Sequence, residues 1–161
     1  MIPFVYQYPS PVGLLEISGN DYGIESILYD SGNNHPVTIV QGLLKECIEQ
    51  LNEYFAGKRK VFDLPLNPQG TDFQKRVWAE LQKIPYGKTV SYLDIARNIG
   101  DVNSTRAVGN ANGKNKLNIL IPCHRVIGIN GKLTGYGGGL WRKKWLLELE
   151  MENSHEGLFG N

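Results

Sequence analysis

The feature that most constrains this chain is the stretch Ile119-Leu120-Ile121-Pro122-Cys123-His124-Arg125-Val126. An apolar run with the look of a core segment leads directly into a thiol, an imidazole and a guanidinium. Pro122 fixes its own φ and pushes Ile121 toward an extended conformation, which predicts a short strand-like run ending stiffly at Cys123. A thiol is a useful nucleophile only as its thiolate, and its free pKa of about 8.5 falls beside cationic or imidazole groups. Neighbouring side chains on an extended chain point to opposite sides, so adjacency alone does not bring His124 onto the Cys123 sulfur. Read by itself, the stretch fits a packed cysteine as well as a catalytic one.

The 161 residues make one ordinary domain or two small ones, and 41% hydrophobic content is enough for a core. No long apolar run marks a membrane span. Met1-Ile2-Pro3-Phe4 lacks the basic and apolar regions of a signal peptide. Cys47 and Cys123 lie far apart, and without a secretory signal the expectation is a reduced, cytoplasmic protein with free thiols. The net charge of +1 is unevenly placed, with −4 over residues 1–70 and +7 over residues 71–150. The basic part carries Cys123 and points to a polyanionic partner, although a well-solvated surface has the same composition.

The first part reads as β-rich. Residues 4–8, 13–18 and 24–29 are short apolar and β-branched runs separated by Ser10-Pro11 and Gly19-Asn20-Asp21. Residues 30–36 read as a loop. Leu43, Leu44, Cys47, Ile48, Leu51, Tyr54 and Phe55 then recur at helical spacing, and Gly57 stands where a helix C′ residue belongs. Cys47 on that stripe reads as a packed core thiol. Residues 61–70, with Pro65 and Pro68, read as a strand-like segment running into a linker.

Thr71-Asp72-Phe73-Gln74 has the form of a capping box, and Phe73, Val77, Trp78 and Leu81 give the helix after it an inner face. Ser91-Tyr92-Leu93-Asp94 opens a second short helix, closed by Gly100. Ser104 can cap a third, Thr105-Arg106-Ala107-Val108-Gly109-Asn110-Ala111. Two short helices about a tight turn resemble a helix-turn-helix. The second is built of small residues, and a helical Gly costs about 1 kcal/mol against Ala. Such a helix has a close neighbour, either another helix or a DNA backbone. Asn130-Gly131 has hairpin-turn character. Gly135-Tyr136-Gly137-Gly138-Gly139 lacks the spacing of a phosphate-binding fingerprint and reads as a flexible loop or a lid. The last helix, residues 140–150, is expected to bury Trp145, Leu146 and Leu149 and to present Arg142-Lys143-Lys144. Glu150 near its end is disfavoured by the macrodipole and makes a cationic partner such as His124 plausible.

Residues 73–150, about half the chain, resemble the O6-alkylguanine-DNA alkyltransferases, the methylated-DNA–protein-cysteine methyltransferases. The resemblance is carried by Ile84-Pro85-Tyr86-Gly87-Lys88-Thr89-Val90-Ser91-Tyr92, Arg106-Ala107-Val108-Gly109, Asn115, Ile121-Pro122-Cys123-His124-Arg125-Val126, Gly135-Tyr136-Gly137-Gly138, and the Trp145-Leu146-Leu147 helix ending in Glu150. It implies an α+β fold: a small ribonuclease-H-like α/β N-terminal domain with linker over 1–70, and a mostly helical, DNA-binding domain with the helix-turn-helix over 71–151. Residues 152–161 read as a disordered tail. The implied reaction is irreversible, stoichiometric transfer of an alkyl group from O6-alkylguanine, with O4-alkylthymine a further substrate, to the protein's own cysteine.

In that reading Cys123 is the alkyl acceptor, His124 the base through a bridging water, and Glu150 the group that orients it. Asn115 holds the turn carrying the thiol, and Tyr92 helps turn the nucleotide. Arg106 fills the gap left in the stack, and Ser104, Ala107, Gly109 and Arg125 share the DNA contact. The backbone at Cys123 and Val126 reads the guanine edge, while Tyr136 and Gly137 cover the base. The partner is double-stranded DNA entered from the minor groove by a monomer, since a buried thiol reaches guanine O6 only in a flipped nucleotide. In a prokaryote the protein would associate with the nucleoid.

No cofactor is expected. Some relatives carry an N-terminal zinc, but residues 1–70 offer only Cys47 and His35 as soft ligands, too few for a closed site. Two other readings stay open at this level: a non-catalytic helix-turn-helix lesion sensor or regulator, and a Cys–His–Glu hydrolase, for which no oxyanion hole is evident.

Overall fold

The computed structural model describes residues 2–30 and 39–154. Most of the loop expected over 30–36, with His35, lies outside the described residues, as does the tail from residue 155. The chain forms two compact units, Met1–Gln69 with Lys116–Asn118, and Gly70–Asn115 with Ile119–Asn161.

In the first unit, β1 (Phe4–Ser10), β2 (Gly13–Asn20) and β3 (Gly23–Tyr29) make an antiparallel meander in the order β1-β2-β3. Alternation turns Leu15 and Ile17 of β2 into the core, with Tyr8, Ile24 and Ile27 beside them. Ser10 closes the first turn, its hydroxyl donating to Gly13 O at 2.6 Å and accepting from Val12 N at 3.1 Å. Helix α1 (Gly42–Phe55) buries Leu43, Leu44, Cys47, Leu51 and Tyr54. It ends at Gly57, whose φ of 76° is the left-handed conformation the position requires. Cys47 is a core thiol, its pKa pushed up to about 12 by burial. Residues 61–70 are not a strand. Pro65 and Pro68 have no N–H to give a ladder, and only Leu66 bridges β3, at Ile24. A second single bridge, Ile27 to Leu117, brings residues 116–118 into this unit. Together the two bridges occupy the edge of β3 that would otherwise stand unpaired.

The second unit is helical. Helices α2 (Asp72–Leu81) and α3 (Tyr92–Asn98) both start on complete capping boxes, Thr71 with Gln74 and Ser91 with Asp94. Helix α4 (Thr105–Gly113) packs on both, and the Trp78 indole donates to Ala111 O at 2.9 Å. The expected Ser104 cap is corrected: the Ser104 hydroxyl donates to Asp101 O at 2.6 Å, and Asp101 caps a 3-10 turn, Val102–Ser104, before α4. Two-residue strands β4 (Val90–Ser91) and β5 (Val126–Ile127) pair in parallel. Asn130-Gly131 makes a tight turn, closed by Gly128 N donating to Lys132 O at 2.8 Å and Gly131 N donating to Gly128 O at 2.9 Å.

Helix α5 (Leu140–Ser154) continues past residue 151, so the expected disorder is corrected for residues 152–154. Its buried face is also corrected. Arg142, Lys143, Leu146 and Glu150 point inward, Trp145 and Leu149 are half-buried, and of the three basic residues only Lys144 is presented. Among the described residues no helix is long and apolar enough to cross a membrane.

Candidate active site

The apolar run into the thiol is a turn rather than a strand. Ile119 takes a left-handed φ of 74°, costly for a β-branched residue by about 1–3 kcal/mol. Asn115 braces this turn, its Nδ2 donating to Ile121 O at 2.9 Å. Pro122 (φ −80°, ψ 64°) is the centre of an inverse γ-turn, with Cys123 N donating to Ile121 O at 2.8 Å. A 3-10 turn, Cys123–Arg125, follows. With three residues per turn, consecutive side chains fan out instead of alternating, and all three are buried.

His124 and Arg125 meet on Glu150, brought in by α5. His124 Nε2 lies 2.7 Å from Glu150 Oε2. Arg125 grips the same carboxylate with two hydrogen bonds, Nε to Oε1 at 2.7 Å and an Nη to Oε2 at 3.1 Å. Its other Nη donates to Ile84 O at 2.7 Å. Gly87 N approaches Oε1 at 3.5 Å. His124 and Glu150 are 0% exposed. Burial works against the Glu150 charge, yet His124 and Arg125 outweigh it and hold the carboxyl well below the usual range. Arg125 is charged at any ordinary pH, so Glu150 stays ionised when His124 is neutral. Burial pushes His124 down, against the pull of Glu150, and favours the neutral ring. An ionised Glu150 can only accept, so Nε2 carries the proton and Nδ1 keeps its lone pair. Among the described residues nothing is bonded to His124 Nδ1.

The Cys123 thiol is pushed up by burial, and a hydrogen bond from Asn115 and the charge of Lys143 oppose this. The resting sulfur is therefore a thiol that needs a base. The Cys123 carbonyl takes Val126 N–H and the Asn112 amide, the latter at 3.4 Å. Tyr92, first residue of α3, lies along Gly109 of α4, and a methyl group on Gly109 would sit 3.8 Å from its ring. That spacing is ordinary contact, so packing within the chain does not demand glycine there. The Tyr92 hydroxyl donates to Thr134 O at 3.3 Å, joining α3 to the loop that holds Tyr136 and Gly137. Arg106 and Ala107 are exposed on α4, Ser104 and Gly109 half-buried, and Val126 is buried in β5.

Arg125 is the correction among the site residues. It was expected at the DNA, but it is 7% exposed and spent on Glu150 and Ile84. Sequence reasoning also missed Asn112, Thr134 and Lys143. One signal for Lys143 exists: it precedes Glu150 by seven residues, two helical turns, and so shares its face.

Fold and site together define a protein with a buried acid–imidazole–thiol centre on a helix-turn-helix scaffold. Residues 72–152 match the model of the 6-O-methylguanine DNA methyltransferase DNA-binding domain, and residues 5–68 that family's ribonuclease-like domain. The methylated-DNA–protein-cysteine methyltransferase of Methanosarcina acetivorans is 46% identical over 148 residues, 89% of this chain and 95% of that one. Its namesake in Mycobacterium tuberculosis is 49% identical over 146 residues, 88% of each chain. The crystal structure of the Mycobacterium tuberculosis O6-methylguanine methyltransferase superposes with a TM-score of 0.84 at 44% identity over 94% of both chains. The same organism's OGT in complex with DNA gives 0.82 at 43% identity, covering 94% of this chain and 93% of that one. The chain belongs to the 6-O-methylguanine DNA methyltransferase family, with an α+β fold whose N-terminal part is ribonuclease-like.

Proposed function

We propose that this protein repairs DNA by direct reversal, as a methylated-DNA–protein-cysteine S-methyltransferase. It transfers the alkyl group of O6-alkylguanine, and of O4-alkylthymine, to Cys123. The observation that carries this reading is the buried Cys123–His124–Glu150 set with its acid clamped by Arg125. His124 Nδ1 takes the thiol proton through a water. The sulfur attacks the alkyl carbon, an S–C bond forms, and the O6–C bond breaks. Its electron pair stays on the guanine, which takes up one proton and is left as the ordinary base. The thioether has no ionisable proton and is a poor leaving group, so the chain reacts once.

A thiol this deeply buried meets O6 only if the nucleotide leaves the duplex. The small residues of α4 suit close approach to the minor groove, with Arg106 entering the stack behind the flipped base. Tyr92, Tyr136 and Gly137 receive that base, and Asn115 keeps the thiol-bearing turn in place. The protein acts as a monomer, in the cytoplasm, where a reducing compartment keeps the acceptor thiol usable. A lesion sensor without chemistry would have no use for the acid–imidazole–thiol set. The test is intact-protein mass spectrometry after mixing with duplex DNA containing O6-methylguanine. One added methyl mapped to Cys123 is expected; no mass gain, or repeated turnover, would overturn the reading.

A further inference from the structure

The turn Ile84-Pro85-Tyr86-Gly87 has no step of its own in the proposed chemistry, yet it is built against the acid. It leaves the end of α2, with Ile84 N donating to Leu81 O and Lys88 N to Pro85 O, each at 3.1 Å. Gly87 takes a φ of 78° at the third position of the turn Pro85-Tyr86-Gly87-Lys88, as a type II turn requires. A methyl group there would also lie 2.6 Å from Ser154 Cβ and 3.5 Å from Glu150 O, so the end of α5 packs directly on the turn. Only glycine allows that approach.

The turn meets the site through Arg125. The guanidinium spends one edge on Glu150 and donates from its other Nη to Ile84 O at 2.7 Å. Its flat side lies over the Tyr86 ring, with Cζ 5.7 Å from the centroid. That is within the reach at which an aromatic face attracts a cation, and the attraction grows as water is excluded. Arg125 is buried and Tyr86 half-buried. Gly87 N–H approaches the same carboxylate at 3.5 Å, too long to hold it alone. The hydrogen bonds of a guanidinium lie in its plane. Tyr86 restrains the direction they leave free, motion out of that plane.

We propose that Tyr86 is a positioning residue for the acid: its ring seats the Arg125 guanidinium, which sets how much of the Glu150 charge reaches His124 and so the pH at which the base is available. This rests on the alkyltransferase reading above. Glu150 divides its charge between Arg125 and His124, whose Nε2 lies 2.7 Å from Oε2. With the guanidinium seated, the imidazole stays neutral and Nδ1 can take the thiol proton. With it loosened, more of the carboxylate's charge falls on His124, which then keeps its own proton to higher pH and is lost as a base. The other charged or titratable groups about this pair are Cys123, on the same 3-10 turn as Arg125, and Lys143, which acts on His124 from α5. Lys83 is turned out onto Glu80, and Lys88 is exposed.

The experiment measures the maximal single-turnover rate of methyl transfer from duplex DNA containing O6-methylguanine, at saturating DNA, across pH 5 to 8, chosen to cover about the imidazole range. Tyr86→Phe keeps the ring and should keep the wild-type profile. Tyr86→Leu keeps apolar bulk without a π face. Its acid limb should move to higher pH by about half a pH unit or more, lowering the rate on the acid side about threefold or more, while the apparent affinity for DNA is unchanged. On an Arg125→Met background, Tyr86→Leu should move the limb no further. A purely structural tyrosine would lower the melting temperature and leave the limb in place. That result, or an equal shift on the Arg125→Met background, overturns the proposal. Should Tyr86→Leu not fold, phenylalanine analogues with successively more ring fluorines at position 86 keep the volume and weaken the negative face of the ring. The limb should then climb with each fluorine, and a limb that stays in place overturns the proposal equally. Failure of the wild type to accept methyl would instead sink the alkyltransferase reading.

Discussion

Arg125→Met separates the two places this residue has been given. At the DNA interface it would be an exposed phosphate contact. In the structure its guanidinium makes three hydrogen bonds of 2.7 to 3.1 Å, two of them to the fully buried Glu150. Removing one partner of a buried pair strands the other charge, at a cost of about 3–5 kcal/mol. At about 2–4 °C per kcal/mol for a chain of this size, the melting temperature should fall by roughly 10 °C. Glu150→Gln added to Arg125→Met removes the stranded charge and should recover much of that loss.

The pH dependence carries a sign as well. Glu150 has a folded pKa below its ordinary value, so its contribution is present above that ordinary value and lost as pH falls through the folded pKa. His124 is lowered from 6.5, so its contribution is complete above 6.5 and declines as pH falls below it. Both terms make the protein weaker in acid. Without Arg125 the restraint on Glu150 is smaller, and acid unfolding should begin at higher pH. Urea unfolding across pH 3 to 7, pH values chosen to span about the ordinary carboxylate and imidazole range, measures this. A loss under about 1 kcal/mol at neutral pH, coupled with a shallower salt dependence of DNA binding, would refute the argument and return Arg125 to the phosphates.

Cys123→Ser should bind alkylated DNA and transfer nothing, since a hydroxyl is a far poorer nucleophile at neutral pH, whereas Cys47→Ser should transfer with some loss of stability; mass spectrometry decides both. Arg106→Ala should slow repair of duplex DNA far more than reaction with free O6-methylguanine, which needs no flipping; equal losses would make Arg106 an ordinary contact. The methylated protein should melt lower than the unreacted one, by about 1–3 kcal/mol for a methyl added to a filled core, with faster amide exchange over residues 106–111; an unchanged melt would remove that account.

Where local chemistry dictates local structure, the sequence was enough. Thr71 with Gln74 and Ser91 with Asp94 announce helix starts because each pair satisfies two backbone donors that the helix itself leaves without a partner. Gly57 announces a helix end because few other residues take its φ. The three strands were legible as short apolar and β-branched runs cut by turn residues, the composition that a pleated, half-buried surface favours. Residues 61–70 misled because apolar content signals burial without signalling pairing, and the two prolines had already removed the donors a strand needs. Ile119 misled for a related reason. Ile119 and Ile121 are β-branched and favour extended backbone, and the turn there is braced instead by the bond from Asn115 to Ile121 O.

The site was harder to read because it inverts the rule that locates a core. On α5 the apolar Trp145 and Leu149 are only half-buried, while Arg142, Lys143 and Glu150 take the inward face. Hydrophobic patterning assigns that face wrongly wherever a helix delivers charge to a site. What marks such a helix is complementarity with residues far along the chain. Glu150 can lie at 0% exposure because Arg125 and His124 arrive together, on a 3-10 turn that sets three successive side chains on different bearings. An extended chain would have sent His124 and Arg125 to opposite faces and left Glu150 with one partner. The inverse γ-turn at Pro122 converts the direction of entry into that fan, so the proline beside the thiol acts on the chemistry through backbone geometry alone. The same turn makes the Arg125 correction intelligible: a guanidinium two residues beyond a buried thiol, on a backbone this tightly wound, is turned inward and finds its anion inside.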